Sequence, residues 1–152
     1  MNRSKKAEHI EKITFDSGIK TYQVNENGIL KFNPSDPNVY QRFNSLKSSI
    51  QQFEKEISYR SKSVKSGEEI VDLLREYDKK MKDQLSFVFG EWNDFDQIFS
   101  GVNVMAVSAS GELIITNFLN GIRPIIEEGI RAYAKMEAQK AIQETKEWKE
   151  EK

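Results

Sequence analysis

The chain has 152 residues and no cysteine, with 38% hydrophobic and 31% charged residues and 23 basic against 24 acidic side chains. That length suits one domain able to bury roughly 70% of its unfolded surface, and charge above the usual ~25% points to long solvated helices. Disulfides, thiolate metal sites and a cysteine nucleophile are excluded, and balanced charge offers no global field to gather nucleic acid or an anionic membrane.

Residues 1 to 10 are polar and are expected to fray. The basic start runs into Ala7-Glu8-His9-Ile10-Glu11-Lys12, where a signal peptide needs an apolar run, so export by that route is not expected. Three alternating segments follow: Ile13-Thr14-Phe15, then Lys20 to Val24, then Ile29 to Phe32, separated by Asp16-Ser17-Gly18 and Asn25-Glu26-Asn27-Gly28. They predict a three-stranded antiparallel meander over 11–33. Tyr22 and Val24 share one face, as do Leu30 and Phe32, and that apolar side needs a helix to cover it.

Asp36-Pro37 reads as an N-cap oxygen followed by a first-turn proline, so a helix begins near Pro37. Phe43, Leu46, Ile50, Phe53 and Ile57 then form one apolar stripe. Ser61 to Gly67 is a polar link, and Glu68 and Glu69 suit the positive end of the next helix. There the stripe is Ile70, Leu73, Leu74, Tyr77, Met81, Leu85 and Val88, with Gly90 as the stop; the two helices form an antiparallel pair. A short helix from Asp94 to Phe99 and a tight link precede a long pattern that starts near Gly111. This pattern runs through Ile115, Phe118, Leu119, Ile122, Ile126, Tyr133 and Met136 into a charged end. Pro124 kinks that helix or starts a new one. The densest apolar window, Leu113 to Ile126, is broken by Asn117, Asn120, Arg123 and Pro124, so no membrane span is expected. The chain thus reads as one α+β domain over 1–152, with a meander at 11–33, a mostly α-helical body at 37–148, and flexible ends at 1–10 and 149–152.

The candidate chemical sites are sparse. His9 is the single histidine, lies in the polar arm and is expected in solvent. Glu91, Asp94 and Asp96 resemble a fragment of a calcium loop but lack its glycine and distal glutamate; acidic residues at a helix start explain them. Neighbouring Glu68-Glu69 and Glu127-Glu128 point about 100° apart on a helix and suggest no acid–base pair. Gly28, Gly90, Gly101 and Gly111 read as turn and cap glycines, and Lys62 and Lys65 as part of a solvated loop. No cofactor and no metal site are expected. Trp92 with Phe87, Phe89, Phe95 and Phe99 reads either as core packing at the end of the second helix or as an anchor for a partner protein. Beyond Tyr133 the last helix carries a narrow alanine-rich seam of Ala134, Met136, Ala138, Ala141, Ile142 and Trp148, suited to helix-to-helix assembly with a partner or a second copy, or else a solvated extension.

The run Gly28-Ile29-Leu30-Lys31-Phe32-Asn33-Pro34-Ser35-Asp36-Pro37 followed by Tyr40, Arg42 and Phe43 resembles the small tail-assembly proteins of long-tailed phages and prophages of Gram-positive bacteria. So does Phe89-Gly90 followed by Asp96, Ile98-Phe99 and Gly101, ahead of Asn117-Phe118-Leu119 and Ile122-Arg123-Pro124-Ile125-Ile126. Together these cover about residues 13 to 140. The resemblance implies a non-enzymatic chaperone in the cytoplasm of the bacterial host that keeps the long, apolar, helical tape-measure protein soluble until the tail tube forms around it. Trp92, Phe95, Phe99, Ile115, Phe118 and Tyr133 are the candidate partner-binding residues. A tail accessory subunit that stays in the particle, or an inhibitor of a host defence protein, are the alternatives. Neither nucleic acid nor membrane is expected as a partner.

Overall fold

The computed structural model describes residues 8–150, so much of both expected flexible ends, 1–10 and 149–152, lies outside the described residues. Two strands, β1 (Lys20–Val24) and β2 (Gly28–Phe32), pair antiparallel with Tyr22 opposite Leu30. Helices α1 (Pro37–Ser61), α2 (Gly67–Phe89), α3 (Phe95–Ile98) and α4 (Ile114–Glu150) follow.

The expected meander is corrected to a two-stranded sheet. Residues 13 to 15 form no strand, and Ile13 and Phe15 are 87% and 78% exposed. Alternation alone does not pair a strand; a hydrogen-bonded neighbour is needed, and this arm makes no backbone bond to the body among the described residues. In β2 the alternation holds, with Gly28, Leu30 and Phe32 buried and Ile29 and Lys31 exposed.

Local chemistry sets the helix starts. Asp36 Oδ1 accepts from the N–H of Asn38, one residue past Pro37, and Ser66 Oγ accepts from Glu69. At the far end of α2, Gly90 takes φ +119° and caps Ser86. Helices α1 and α2 lie antiparallel, since Phe43 near the start of α1 meets Phe89 at the end of α2 while Phe53 meets Tyr77. The α1 stripe is buried from Val39 to Phe53, with Ile57 half-buried. In α2 burial begins at Leu73; Ile70, expected in the stripe, is exposed.

A hairpin-like link leads into α4, closed by the Val107–Leu113 bridge and by the Ile115 N–H donating to the Val104 carbonyl at 2.9 Å. This link occupies residues expected to be helical near Gly111. Helix α4 then runs continuously through Pro124. Pro124 and Asn120 are both exposed, so the Asn120 carbonyl released by the missing N–H faces water. Further on, buried Gly129 crosses buried Pro34 so closely that any Cβ there would overlap the Pro34 carbonyl.

One core joins these elements. Leu30 and Phe32 of the sheet, Phe43 and Leu46 of α1, Met81 and Leu85 of α2, and Ile115 and Ile126 of α4 are all buried in it. A chain of ring contacts runs through it from Tyr22 to Phe32, Phe89, Phe95 and Phe118, with centroids 5.0 to 6.5 Å apart. Such pairs add about 0.5–1.5 kcal/mol each beyond burial.

Candidate interaction surface

Two buried polar residues fix the region where the sheet, α2 and α3 meet. Asn93 is 7% exposed. Its Oδ1 accepts the Lys31 N–H at 2.8 Å and its Nδ2 donates to the Lys31 carbonyl at 2.9 Å and the Phe89 carbonyl at 3.2 Å. The side chain thereby takes the place of a neighbouring strand along β2. Trp92 Nε1 also donates to the Lys31 carbonyl, at 2.9 Å, and its ring lies over Gly90, which has no side chain to obstruct it.

Lys82 is the second. Its ammonium donates to Asp78 and Asp96, both at 2.9 Å, while Asp78 also accepts the Val104 N–H at 2.8 Å. Burial works against the charge on Lys82, but the bonds to the two carboxylates outweigh it and hold the group above its ordinary value. This triangle ties α2 to α3 and to the link before α4. Neither Asn93 nor Lys82 stood out in the sequence. The usable signals were local: Lys82 follows Asp78 by one helical turn within an apolar stripe, and Asn93 lies just past a helix-ending glycine.

The acidic residues fall into structural roles. Asp94 accepts from the Gln97 N–H as the cap of α3, and Asp96 holds Lys82. Glu127 and Glu128 are exposed and pair with Arg131. Glu76 binds Arg60 across the α1–α2 pair and Lys80 on its own helix; the Arg60 bond first, then Lys80, pull its carboxyl down to about 2. His9 is exposed beside Glu11. Gly28 proves to be a glycine of close approach: a Cβ there would lie 2.7 Å from the Ile98 carbonyl, while positive φ in the hairpin belongs to Asn25. Among the described residues no group of three or more His, Asp or Glu is placed to hold a metal ion.

The six residues expected at a partner surface do not make one exposed face. Phe95 and Ile115 are buried, and Phe99 and Phe118 are half-buried, stacked edge to face at 4.7 Å. Trp92 and Tyr133 are exposed, on different elements. The aromatic group near Trp92 likewise divides: Phe89 and Phe95 are core, while Phe87 is exposed beneath Arg42.

Two other surfaces stand out. An open groove of about 770 Å³ runs between α1 and α4, floored by Phe43, Ile50 and Leu119 and edged by Lys47, Glu54 and Arg123. The Arg123 guanidinium lies 5.2 Å from the Phe43 ring centre. The second is the outer part of α4, where every residue from 131 to 149 is exposed. Ala134, Ala138, Ala141, Thr145 and Trp148 recur there every four or three positions, so they share one side of the helix. Among the described residues no helix is long and apolar enough to cross a membrane. Comparison with protein-family models, characterised proteins and solved structures gave no match.

Proposed function

We propose that this protein is a non-enzymatic tail-assembly chaperone of a long-tailed phage or prophage, acting in the bacterial host cytoplasm by binding the tape-measure protein. The observation that carries the reading is the outer half of α4, a helix of ~28 Å at 1.5 Å per residue whose whole circumference is exposed from 131 to 149. Its small-residue side lets another helix approach closely, and the exposed Ile142 and Trp148 add apolar area beside the alanines, while Tyr133 and Met136 are exposed on other sides of the helix. The α1–α4 groove lies on the same helix and accepts the flank of an amphipathic segment. These features suit a long helical client, and the sequence resemblance names one.

The test is co-expression with the tape-measure protein of the same genome, followed by light scattering of the purified complex. A soluble complex that is lost in Ala138→Glu and Ala141→Glu supports the reading, because both positions are exposed and their change leaves the body folded. An insoluble tape-measure protein with nothing co-eluting defeats it. Recovery of the chain in intact particles would instead establish a structural accessory subunit, and stable capture of a host defence complex an inhibitor.

A further inference from the structure

The two sides of the small sheet are finished differently. On β2, Lys31 turns its N–H and carbonyl toward Asn93, so Thr21 and Lys31 face each other without bonding mutually. By alternation the backbone N–H and carbonyl groups of Thr21 and Gln23 point outward from β1. Among the described residues nothing hydrogen-bonds them. Whereas Asn93 and Trp92 close β2 at Lys31, β1 is open at both Thr21 and Gln23, an edge that proteins seldom leave bare.

Beside that edge the sheet and α4 enclose two hollows of about 270 and 420 Å³, with Tyr22 and Ile125 as a shared wall. The first reaches Phe118 and Ile122, and the second reaches Pro34 and Pro124. An open strand edge alongside an apolar trough is the arrangement that captures an extended segment, the backbone giving affinity and alternate side chains filling the trough.

The chain itself carries such a segment. Ile10, Ile13 and Phe15 are 81%, 87% and 78% exposed. Ile13 and Phe15 fall on one side of an extended chain, about 6.6 Å apart, a spacing that serves two adjoining hollows. The root of the arm is fixed: the Ser17 carbonyl accepts from Asn33 at 3.1 Å, and the Gly18 N–H donates to Asp16 at 2.8 Å with φ +73° at Gly18. Held there, the arm leaves its own β1 edge unpaired. A donor and an acceptor, each unfilled, therefore sit on one molecule.

We propose that residues 10–16 of one copy add as a third strand to the free edge of β1 in a second copy, seating Ile13 and Phe15 in the trough between β1 and α4. Reciprocal exchange closes a two-fold dimer, since the same pair of surfaces is used twice. The proposal stands on the sheet edge and the arm alone and does not depend on the tape-measure reading.

Sedimentation velocity of the full chain across a concentration series tests it. The expected result is a monomer–dimer equilibrium whose dissociation constant rises about 10-fold or more in Phe15→Asp, from the lost apolar burial. Phe15 is exposed in the single chain, so circular dichroism should show the variant folded. Because the chain lacks cysteine, Thr14→Cys mixed with Thr21→Cys or Gln23→Cys should oxidise to a crosslinked pair of chains. Thr14 is chosen because it faces opposite to Ile13 and Phe15, on the Thr21 and Gln23 side. A monomer up to millimolar concentration overturns the proposal. So does a disulfide forming within one chain when Thr14→Cys and Thr21→Cys are combined in the same molecule, which would place the arm on its own edge, and so does a dimer unchanged by Phe15→Asp.

Discussion

Replacing Asn93 by aspartate preserves shape while changing only which atoms donate. The amide oxygen accepts from Lys31 at 2.8 Å and the amide nitrogen donates to Lys31 at 2.9 Å and to Phe89 at 3.2 Å. The carboxylate keeps the first bond and turns the other two into contacts between oxygens. Two bonds at about 1 kcal/mol each, plus a charge placed among carbonyls in a buried position, give a loss of about 3 kcal/mol at pH 7. For a chain of this size that lowers Tm by about 6–12 °C. Asn93→Ala should cost less, about 2 kcal/mol, because Trp92 still serves the Lys31 carbonyl and no charge is buried, although the Lys31 N–H and the Phe89 carbonyl both lose their partner. The introduced carboxyl, buried and facing carbonyls, has its pKa raised in the folded state, so the neutral form is preferred there. Its penalty therefore applies above that folded value and shrinks as pH falls through it. Urea unfolding followed by circular dichroism at pH 7 and pH 5 reads both effects. If Asn93→Asp lies within ~0.5 kcal/mol of the wild type at pH 7, the strand-substitute role is wrong.

Two glycines of α4 should respond with opposite signs. Gly121→Ala meets nothing within 4 Å and should stabilise by about 0.5–1 kcal/mol through helix propensity, whereas Gly129→Ala collides with the Pro34 carbonyl and should cost ~2 kcal/mol or more. Thermal melts of the two variants decide it, and shifts of the same sign would contradict the packing described. Lys82→Met should destabilise by about 2 kcal/mol, a figure reduced because Asp96, though bonded, is 81% exposed. The Lys82 pKa is raised by folding, so its contribution is complete below the unfolded value of 10.5 and fades as pH rises through the folded one. The stability gap between wild type and Lys82→Met should stay constant from pH 7 to 9 and close in stronger alkali; closure below pH 9 would count against the Asp78–Lys82–Asp96 triangle.

Features governed by near neighbours were readable from the sequence. Asp36-Pro37 starts α1 because the cap and the proline act within one turn, and the stripes of α1 and α2 emerge because burial repeats with the helical period. The face of the hairpin followed for the same reason, with Leu30 and Phe32 inside. Features that depend on distant partners were not readable. Ile13 and Phe15 alternate like a strand, yet whether they pair is settled by where Asn33 fixes Ser17. Phe95 and Ile115 have the residue types of a contact surface, and the common core takes them instead. Lys82 and Asn93 belong to residue classes expected in solvent, and only the meeting of α2, α3 and β2 gives them interior partners.

Because α4 is already nucleated where Ile115 to Ile126 lock into the core, its outer portion elongates without the entropic penalty that makes a free peptide of that length marginal. Its amides should exchange with deuterium through end fraying, on a gradient that steepens toward Trp148, while those of Met81 and Leu85 wait for global opening. Shortening the helix from its outer end would then change how far the molecule reaches and leave its melting temperature where it was, so reach and stability can be tuned independently within one continuous element.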